Sequence, residues 1–232
     1  MPPAEGDRLE RDELVQAVRI LQQLLRKCKV EFGIIGGAGC SLLQIRYEQI
    51  YRGTADIDLV IQPKPTERLY ADTLVERLLK DFPQHVIALD QYTPAIRFKT
   101  SQGEKHVPIE IFDVVAWPQR PQYDLENPDN DRLTLSLEGT DAVILSPRWL
   151  LREKILSQHQ RAGSQKEGSD LEDIGRLLEV IPPNIVLTFD KEEHIDALKA
   201  LLKKRPNLRD DLRSRIRCPE IFNQSLSEGY RS

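Results

Sequence analysis

The 232-residue chain is 40% hydrophobic and 30% charged, with a formal net charge of −4, a composition typical of a soluble globular protein with one large or two small domains. This charge excludes a globally basic nucleic-acid binder, and no stretch approaches the roughly 18–20 consecutive apolar residues of a membrane-spanning helix. Three scattered cysteines without a CxxC pair, and a polar start without a secretory signal, predict a reducing, cytoplasmic location and no zinc site.

The first part of the sequence predicts alternating helices and strands. Apolar residues recur at helical spacing from Arg11 to Cys28, so a first helix is expected there. The turn Ser101–Glu104 predicts a hairpin between two strands. The other elements expected are strands at 29–35, 55–62, 85–90, 95–100, 107–117, 133–137 and 142–145, a helix at 38–51, and a helix running to Phe82 from an N-cap at Thr66.

From Ser146 onward the sequence predicts helices only. Ser146-Pro147 pairs an N-cap with a proline at the first helical position, and Ser169 with Glu172 predicts a capping box. Further helices are expected at 191–204 and 207–217. This order predicts an α+β fold, with a mixed sheet and flanking helices over residues 1–145 and a helical cap domain over residues 146–232.

The segment GIIGGAGCSLLQIRYEQIYRGTADIDLVI carries the residues with the clearest chemical meaning. Gly36-Gly37 predicts a turn before a helix, where glycine permits close approach and free N–H groups can bind phosphate. Asp56 and Asp58 lie two apart on a predicted strand, so both side chains point to one face. Their mutual repulsion is relieved by a cation, and hard carboxylate oxygens favour Mg²⁺ or Mn²⁺, which also bind triphosphate.

A third acidic ligand is expected from the strand that contains Ile109-Glu110-Ile111-Phe112-Asp113. If Ile109 and Ile111 face the core, Glu110 faces the opposite side of the strand. Asp113 would share the face of the isoleucines. Glu110 is therefore preferred, with Asp113 as the alternative.

These residues resemble the nucleotidyltransferase superfamily, whose fold is that of the DNA polymerase β catalytic core. GGAGCSLL and RGTADIDLVI are similar to the AbiEii type IV toxin nucleotidyltransferase family and its MenT relatives. Arg52, Thr54 and Asp56–Leu59 match the family pattern of an arginine followed by S/T-x-DIDL. The resemblance covers about residues 30–178 and implies a nucleotidyltransferase-like mixed sheet followed by a helical part.

The resemblance also implies roles for individual residues. Many relatives carry serine at the position of Gly37, and Ser41, one helical turn later, is expected to supply that hydroxyl. In the helical half, Lys154 would contact the triphosphate and Asp170 would support the site. The basic run usual before that aspartate is replaced here by Lys166–Ser169. The nucleotide-binding residues expected are Gly36, Gly37, Ser41, Thr54, Lys154 and Asp170.

The implied function is metal-dependent transfer of a nucleoside monophosphate from a nucleoside triphosphate to an RNA (tRNA-like), protein or small-molecule acceptor. Asp56, Asp58 and Glu110 would be both the catalytic and the metal-binding residues, with Mg²⁺ or Mn²⁺ as cofactor. The alternative is a non-catalytic protein of the same fold that senses nucleotides or binds proteins. The sequence specifies neither the base nor the oligomeric state.

Two further patterns have competing interpretations. Gly37-Ala38-Gly39 begins a dinucleotide-binding GxGxxG motif, but Leu42 occupies the third glycine position, which argues against that fold. A C-terminal basic run predicts either a solvated helix face or a polynucleotide contact. Its members are Lys199, Lys203, Lys204, Arg205, Arg209, Arg213, Arg215 and Arg217.

Overall fold

The computed structural model describes residues 8–90, 93–184 and 186–222, so the first seven residues of the polar N-terminal segment lie outside the described part. The α-helices described are α1 (Arg11–Lys27), α2 (Gly36–Arg46), α3 (Ala71–Asp81), α4 (Pro147–Gln160), α5 (Gln165–Val180), α6 (Glu192–Lys204), α7 (Arg209–Arg213) and α8 (Pro219–Phe222). The strands are β1 (Phe32–Ile34), β2 (Ile57–Ile61), β3 (Val86–Ala88), β4 (Pro94–Thr100), β5 (Gly103–Phe112), β6 (Arg132–Leu137), β7 (Thr140–Leu145), β8 (Leu187–Thr188) and β9 (Ile216–Arg217).

The chain divides into two compact units, with the division between Ser146 and Pro147. The first unit holds a seven-stranded sheet in the order β3-β4-β5-β2-β1-β7-β6. β2 pairs in parallel with β5, and β1 pairs in parallel with β7, whereas the remaining neighbours are antiparallel. The fold is therefore α+β with a mixed sheet, as the sequence predicts.

Helix α1 confirms its prediction from apolar periodicity. Leu14, Val18, Leu21 and Leu25 are fully buried, and they lie on one face of the helix. The predicted hairpin is also present, since β4 pairs antiparallel with β5 and Thr100 lies opposite Gly103. Both features depend on residues close in sequence.

Helix α3 starts four residues later than expected, because its N-cap is Tyr70 and not Thr66. Thr66 lies in a short 3₁₀-helix, Pro65–Glu67, and Arg68 then has a left-handed backbone with φ 51°. Helix α3 begins at Ala71, whose N–H donates to Oδ2 of Asp113 over 2.7 Å. The helix start is thus fixed by a residue 42 positions away, so the predicted N-cap at Thr66 is wrong.

Helix α5 starts earlier than the predicted capping box. Its N-cap is Ser164, so Ser169 and Glu172 lie inside the helix and do not cap it. Glu167 accepts a hydrogen bond from the Gly163 N–H over 2.6 Å and thereby holds the turn before the helix. This earlier start places Asp170 in the helix interior, where it is buried.

The end of the described chain differs from the single helix predicted at 207–217. A 3₁₀-helix (Pro206–Leu208) and the short helix α7 replace its first half. Its last residues form β9, which pairs in parallel with β8 in a two-stranded sheet that the sequence did not predict. Arg215, just before β9, is buried, and its Nε donates to the carbonyl of Ile181 over 2.7 Å.

Across the described residues, no helix has the length and apolar character needed to cross a membrane.

Candidate functional site

Strands β2 and β5 bring two of the predicted acidic residues side by side. The parallel register places Asp58 directly opposite Glu110. Their strand neighbours Ile57 and Ile109 are buried on the other face of the sheet, and neither is more than 1% exposed. Asp58 is partly exposed and Glu110 is exposed, so the two carboxylates share the accessible face.

Asp58 also packs against the first residue of helix α2. A Cβ added to Gly36 would overlap Oδ2 of Asp58, and Gly36 has φ +63°, a backbone conformation that other residues rarely adopt. The Ile35 N–H donates to the Asp58 carbonyl over 2.9 Å, which fixes the backbone at the same point. The glycine turn therefore places the helix N-terminus beside a carboxylate.

The N-terminus of α2 offers backbone donors at this point. The first intrahelical hydrogen bond runs from the Gly39 N–H to the Ile35 carbonyl over 3.0 Å. The N–H groups of Gly36, Gly37 and Ala38 precede it and have no acceptor within the helix. Such a helix start, with its partial positive charge, is a favourable place for a phosphate group.

Thr54 and Arg52 border the second glycine of the turn. A Cβ on Gly37 would lie 2.9 Å from Oγ1 of Thr54 and 3.4 Å from a guanidinium nitrogen of Arg52. The Thr54 hydroxyl donates to Oδ1 of Asp56 over 3.0 Å and so orients that carboxylate. Thr54 is buried, which makes it a support for Asp56. Arg52 adds a cation beside the helix start, a feature that the sequence showed only as part of the family pattern.

The loop that carries Arg52 and Thr54 is held by hydrogen bonds to neighbouring segments. The Leu9 N–H donates to the Thr54 carbonyl over 2.7 Å, and the Tyr51 hydroxyl donates to the Leu9 carbonyl over 2.9 Å. The Arg52 N–H donates to Oε1 of Gln44 over 2.9 Å, which joins the loop to α2. Burial, with a smaller effect of nearby carboxylates, raises the pKa of Tyr51 well above its usual range. Its hydroxyl therefore stays protonated and keeps donating even in alkaline solution in which an unperturbed tyrosine ionises.

Asp113, the alternative third acid, is used elsewhere. It is 1% exposed, and its second oxygen, Oδ1, accepts the Ala116 N–H over 2.7 Å. With Oδ2 bound to the Ala71 N–H, both oxygens hold backbone groups. This geometry favours Glu110 over Asp113 as the third carboxylate of the site.

The acidic side chains are not positioned together as a complete set of metal ligands. Within residues 8–90, 93–184 and 186–222, no three His, Cys, Asp or Glu side chains are grouped so that they could hold a metal ion as they stand. Asp58 and Glu110 are nevertheless neighbours on adjacent strands, whose backbones lie about 4.8 Å apart. A change of side-chain rotamer, without backbone movement, can redirect such carboxylates.

Comparison with known proteins identifies the family. A family model described as "Nucleotidyl transferase AbiEii toxin, Type IV TA system" matches residues 34–231. The chain belongs to the AbiEii nucleotidyltransferase family. The predicted resemblance is thereby confirmed, and it extends beyond residue 178 to include the last elements of the chain.

Solved structures include one similar over nearly the whole chain. The crystal structure of an antigenic nucleotidyltransferase-like protein from Paracoccidioides brasiliensis is 37% identical, with a TM-score of 0.83, over 94% of this chain and 100% of that one. JHP933 from Helicobacter pylori is 16% identical, with a TM-score of 0.48, over 97% and 86%. The antibiotic-resistance factor ANT(2'')-Ia is 13% identical, with a TM-score of 0.45, over 87% and 97%. The curated proteins searched contain no match to the chain.

The predicted AbiEii phosphate hydroxyl, Ser41, lies in the interior. Its side chain is fully buried, and in the described part of the chain its Oγ has no hydrogen-bond partner. A ligand at the surface of the α2 N-terminus cannot touch this atom in the conformation seen. Among the residues predicted in the first unit, Ser41 and the alternative acid Asp113 are not brought to the candidate site.

The remaining predicted residues of the AbiEii pattern, Lys154 and Asp170, form a buried cluster in the second unit. Nζ of Lys154 lies 2.8 Å from Oδ1 of Asp170 and 2.8 Å from Oδ2 of Asp173. The three side chains are 10%, 2% and 0% exposed, respectively. Arg161 adds a longer contact of 3.5 Å to the second oxygen of Asp170. Asp173 was not predicted as part of this group, although its spacing of three from Asp170 would place both on one helix face.

Proposed function

We propose that the protein transfers a nucleoside monophosphate from a nucleoside triphosphate, with a divalent cation, to an acceptor hydroxyl. One observation carries the proposal. The Asp58 carboxylate packs against Gly36 at the start of α2 and stands opposite Glu110 on β5. Acidic side chains and a phosphate-binding helix start are therefore adjacent, which is the combination that a metal–triphosphate complex requires.

The donor set suits Mg²⁺ or Mn²⁺. Asp56, Asp58 and Glu110 supply only carboxylate oxygens, and neither sulfur nor imidazole ligands accompany them in the described site. These three residues would hold the cation, which when bound neutralises charge on the triphosphate and on the departing pyrophosphate. Because Thr54 already orients Asp56, part of the ligand arrangement exists before any cation arrives.

The chain itself would bind and orient the phosphates. The N–H groups of Gly36, Gly37 and Ala38 would donate to phosphate oxygens, and the Arg52 guanidinium would add positive charge beside them. Each favourable charge at a helix N-terminus contributes about 0.3–1 kcal/mol. The hydrogen bonds from the Leu9 N–H to Thr54 and from the Arg52 N–H to Gln44 would keep this loop in place, so that little ordering is required on binding.

The test is calorimetric titration of ATP, CTP, GTP and UTP with Mg²⁺ into wild type and Asp58→Asn. We expect metal-dependent binding of at least one nucleotide by wild type, weakened at least about tenfold by Asp58→Asn because the anionic ligand is lost. Asp141→Asn, which changes a carboxylate on β7 bound to Ser136, is the matched control and should bind like wild type. Unchanged binding by Asp58→Asn would remove the basis of the proposal.

A second function has one observation in its favour. Neither the Ser41 hydroxyl nor the Lys154 ammonium, both expected to contact phosphate, is presented at a surface. This favours a protein that binds nucleotide without transferring it. Release of labelled pyrophosphate from γ-labelled nucleotide separates the two functions, since a sensor would bind the nucleotide and release none.

A further inference from the structure

A cavity of about 720 Å³ lies in the first unit where strand β5 ends. Its walls are the start of helix α3, the residues at the start of β4, and residues 109–113 and 115–117. We refer to it as the β5 pocket. Its volume is within the range of sites that hold small organic ligands.

The β5 pocket adjoins the candidate site through Glu110. This residue lines the pocket and also stands opposite Asp58 across the β2–β5 pairing. A molecule in the pocket would therefore lie next to the carboxylates proposed to hold the metal–triphosphate complex. That is the position of an acceptor, so the inference below rests on the proposed function.

The charge of the β5 pocket is unfavourable for an anion. Asp72 and Glu110 line it and are exposed, whereas none of the described residues that line it is Lys, Arg or His. With Glu110 neutralised by the proposed cation, a phosphate group brought into the pocket would still meet the Asp72 carboxylate, and no Lys, Arg or His among the described lining residues would offset it. The lining thus favours a neutral or positively charged occupant.

The helix N-terminus in the pocket wall does not change this conclusion. The Ala71 N–H already donates to Asp113, and the Thr73 N–H donates to Oδ1 of Asp72 over 2.7 Å. The Tyr70 N–H donates to the Thr73 hydroxyl over 2.8 Å. Because two of the first three N–H groups of α3 already have side-chain acceptors, this helix start offers less to an incoming anion than an uncapped one would.

The rest of the pocket presents apolar and aromatic surface. Trp117 is 41% exposed and Val115 is 55% exposed, although both are large apolar residues. The Trp117 ring contacts Phe112 edge-on, with centroids 6.0 Å apart, which holds the indole in place. An exposed indole beside carboxylates can stack on a ring or bind a cation on its face.

From this combination we infer that the β5 pocket is the acceptor subsite and that the acceptor is a small hydroxyl compound with an apolar or aromatic body and no net negative charge. In the transfer, the acceptor oxygen forms a bond to the α-phosphorus. The bond between that phosphorus and the oxygen bridging to the β-phosphate breaks, pyrophosphate leaves, and the hydroxyl proton passes to water. A polyanion such as RNA is the occupant that the lining disfavours.

The experiment compares two probes that share a phenyl ring and a hydroxyl and differ in charge. L-phenylalaninol carries an ammonium group and L-phenyllactate a carboxylate. Binding is followed by tryptophan fluorescence, since Trp117 is exposed in the pocket and the only other tryptophan, Trp149, is buried. We expect wild type to bind phenylalaninol at least about tenfold more tightly than phenyllactate, and the fluorescence change to disappear in Trp117→Phe.

A charge variant tests the pocket directly. Val115→Lys adds an ammonium group at an exposed lining position, so it should weaken phenylalaninol binding and strengthen phenyllactate binding, each severalfold. Val186→Lys, which changes an exposed valine outside the lining, should leave both affinities unchanged. Equal affinities of wild type for the two probes, or no effect of Val115→Lys, would overturn the inference.

Parallel titrations separate this inference from the proposed function. If Mg²⁺ and nucleotide bind to wild type but a single-stranded oligoribonucleotide displaces phenylalaninol or binds more tightly, the inference fails and the transferase proposal stands. If folded wild type binds no nucleotide, both fail. Nucleotide binding together with preference for phenylalaninol supports both.

Discussion

At the scale of single residues, adding one methyl group at Gly36 should lower both the stability of the protein and its affinity for nucleotide. Gly36→Ala would place a methyl group on the Asp58 carboxylate at φ +63°. The left-handed backbone alone costs about 1–2 kcal/mol, and moving Asp58 would also weaken binding of Mg²⁺ with nucleotide. Urea unfolding and nucleotide titration measure the two effects.

Gly168→Ala is the control. A Cβ at this position in helix α5 meets nothing within 4 Å, so the substitution should stabilise the protein by about 0.5–1 kcal/mol. Similar changes in stability for Gly36→Ala and Gly168→Ala would contradict this explanation.

His194 gives a second prediction at this scale. Burial is the largest cause and lowers the pKa of His194 below the usual 6.5. Glu193 acts to raise this pKa, and Lys191 acts to lower it further. The buried Nδ1 of His194 has no hydrogen-bond partner among the described residues. Because the folded-state pKa is the lower one, the unfolded chain binds more protons between the two values. Stability should therefore be full above pH 6.5 and should fall, by at most about 1.4 kcal/mol per pH unit, as pH decreases toward the folded-state pKa.

The check on His194 is urea unfolding at several pH values from about 5 to 7.5, which brackets the usual histidine pKa of roughly 6.5. His194→Phe removes the titrating group while keeping a ring against Phe189, whose centroid is 5.0 Å away. Its stability should vary less with pH than that of wild type. His159→Gln, at an exposed position of helix α4, serves as the control and should keep the wild-type dependence. An unchanged slope in His194→Phe would assign the pH dependence to other groups.

At the scale of elements, Asp113 and Glu110 should show opposite effects although both lie at the end of β5. Asp113→Ala leaves the N–H groups of Ala71 and Ala116 without their acceptor, so it should destabilise the protein by about 2 kcal/mol or more. Glu110→Gln changes an exposed side chain and should change stability by no more than about 0.5 kcal/mol, while reducing turnover strongly. Unfolding and transfer assays on both variants provide the measurement. Loss of activity without loss of stability in Asp113→Ala would reverse the assignment of the third acid.

The same elements show which parts of the fold a sequence can predict. Helix α1 and the β4–β5 hairpin follow from periodicity and a local turn, and both are confirmed. The start of α3 depends on Asp113, and the β8–β9 pair joins two-residue strands far apart in sequence, so neither leaves a local pattern. The alternation of side chains along β5 predicts that Glu110 faces away from the core. Its position opposite Asp58, however, depends on the register between β2 and β5, and the two residues are 52 positions apart in the sequence.

At the scale of the whole molecule, the family pattern assigns a nucleotide role to residues of the second unit, whereas their contacts indicate a structural one. Lys154 neutralises the buried carboxylates of Asp170 and Asp173. Lys154→Met would leave both without that cation in the interior, and removing one member of such a buried group costs about 3–5 kcal/mol. We therefore expect a large loss of stability in urea unfolding. In protein that remains folded, nucleotide affinity should be unchanged.

Lys203→Met, at an exposed position of α6, is the matched control for loss of a lysine in the same unit and should change stability by no more than about 0.5 kcal/mol. The two possible roles of Lys154 then separate cleanly. A lysine that binds the triphosphate predicts a loss of affinity of at least about tenfold with stability near wild type. The buried cluster predicts the reverse. The ammonium lies 2.8 Å from a carboxylate oxygen of each aspartate, and the two buried carboxylates would repel one another once the ammonium is removed.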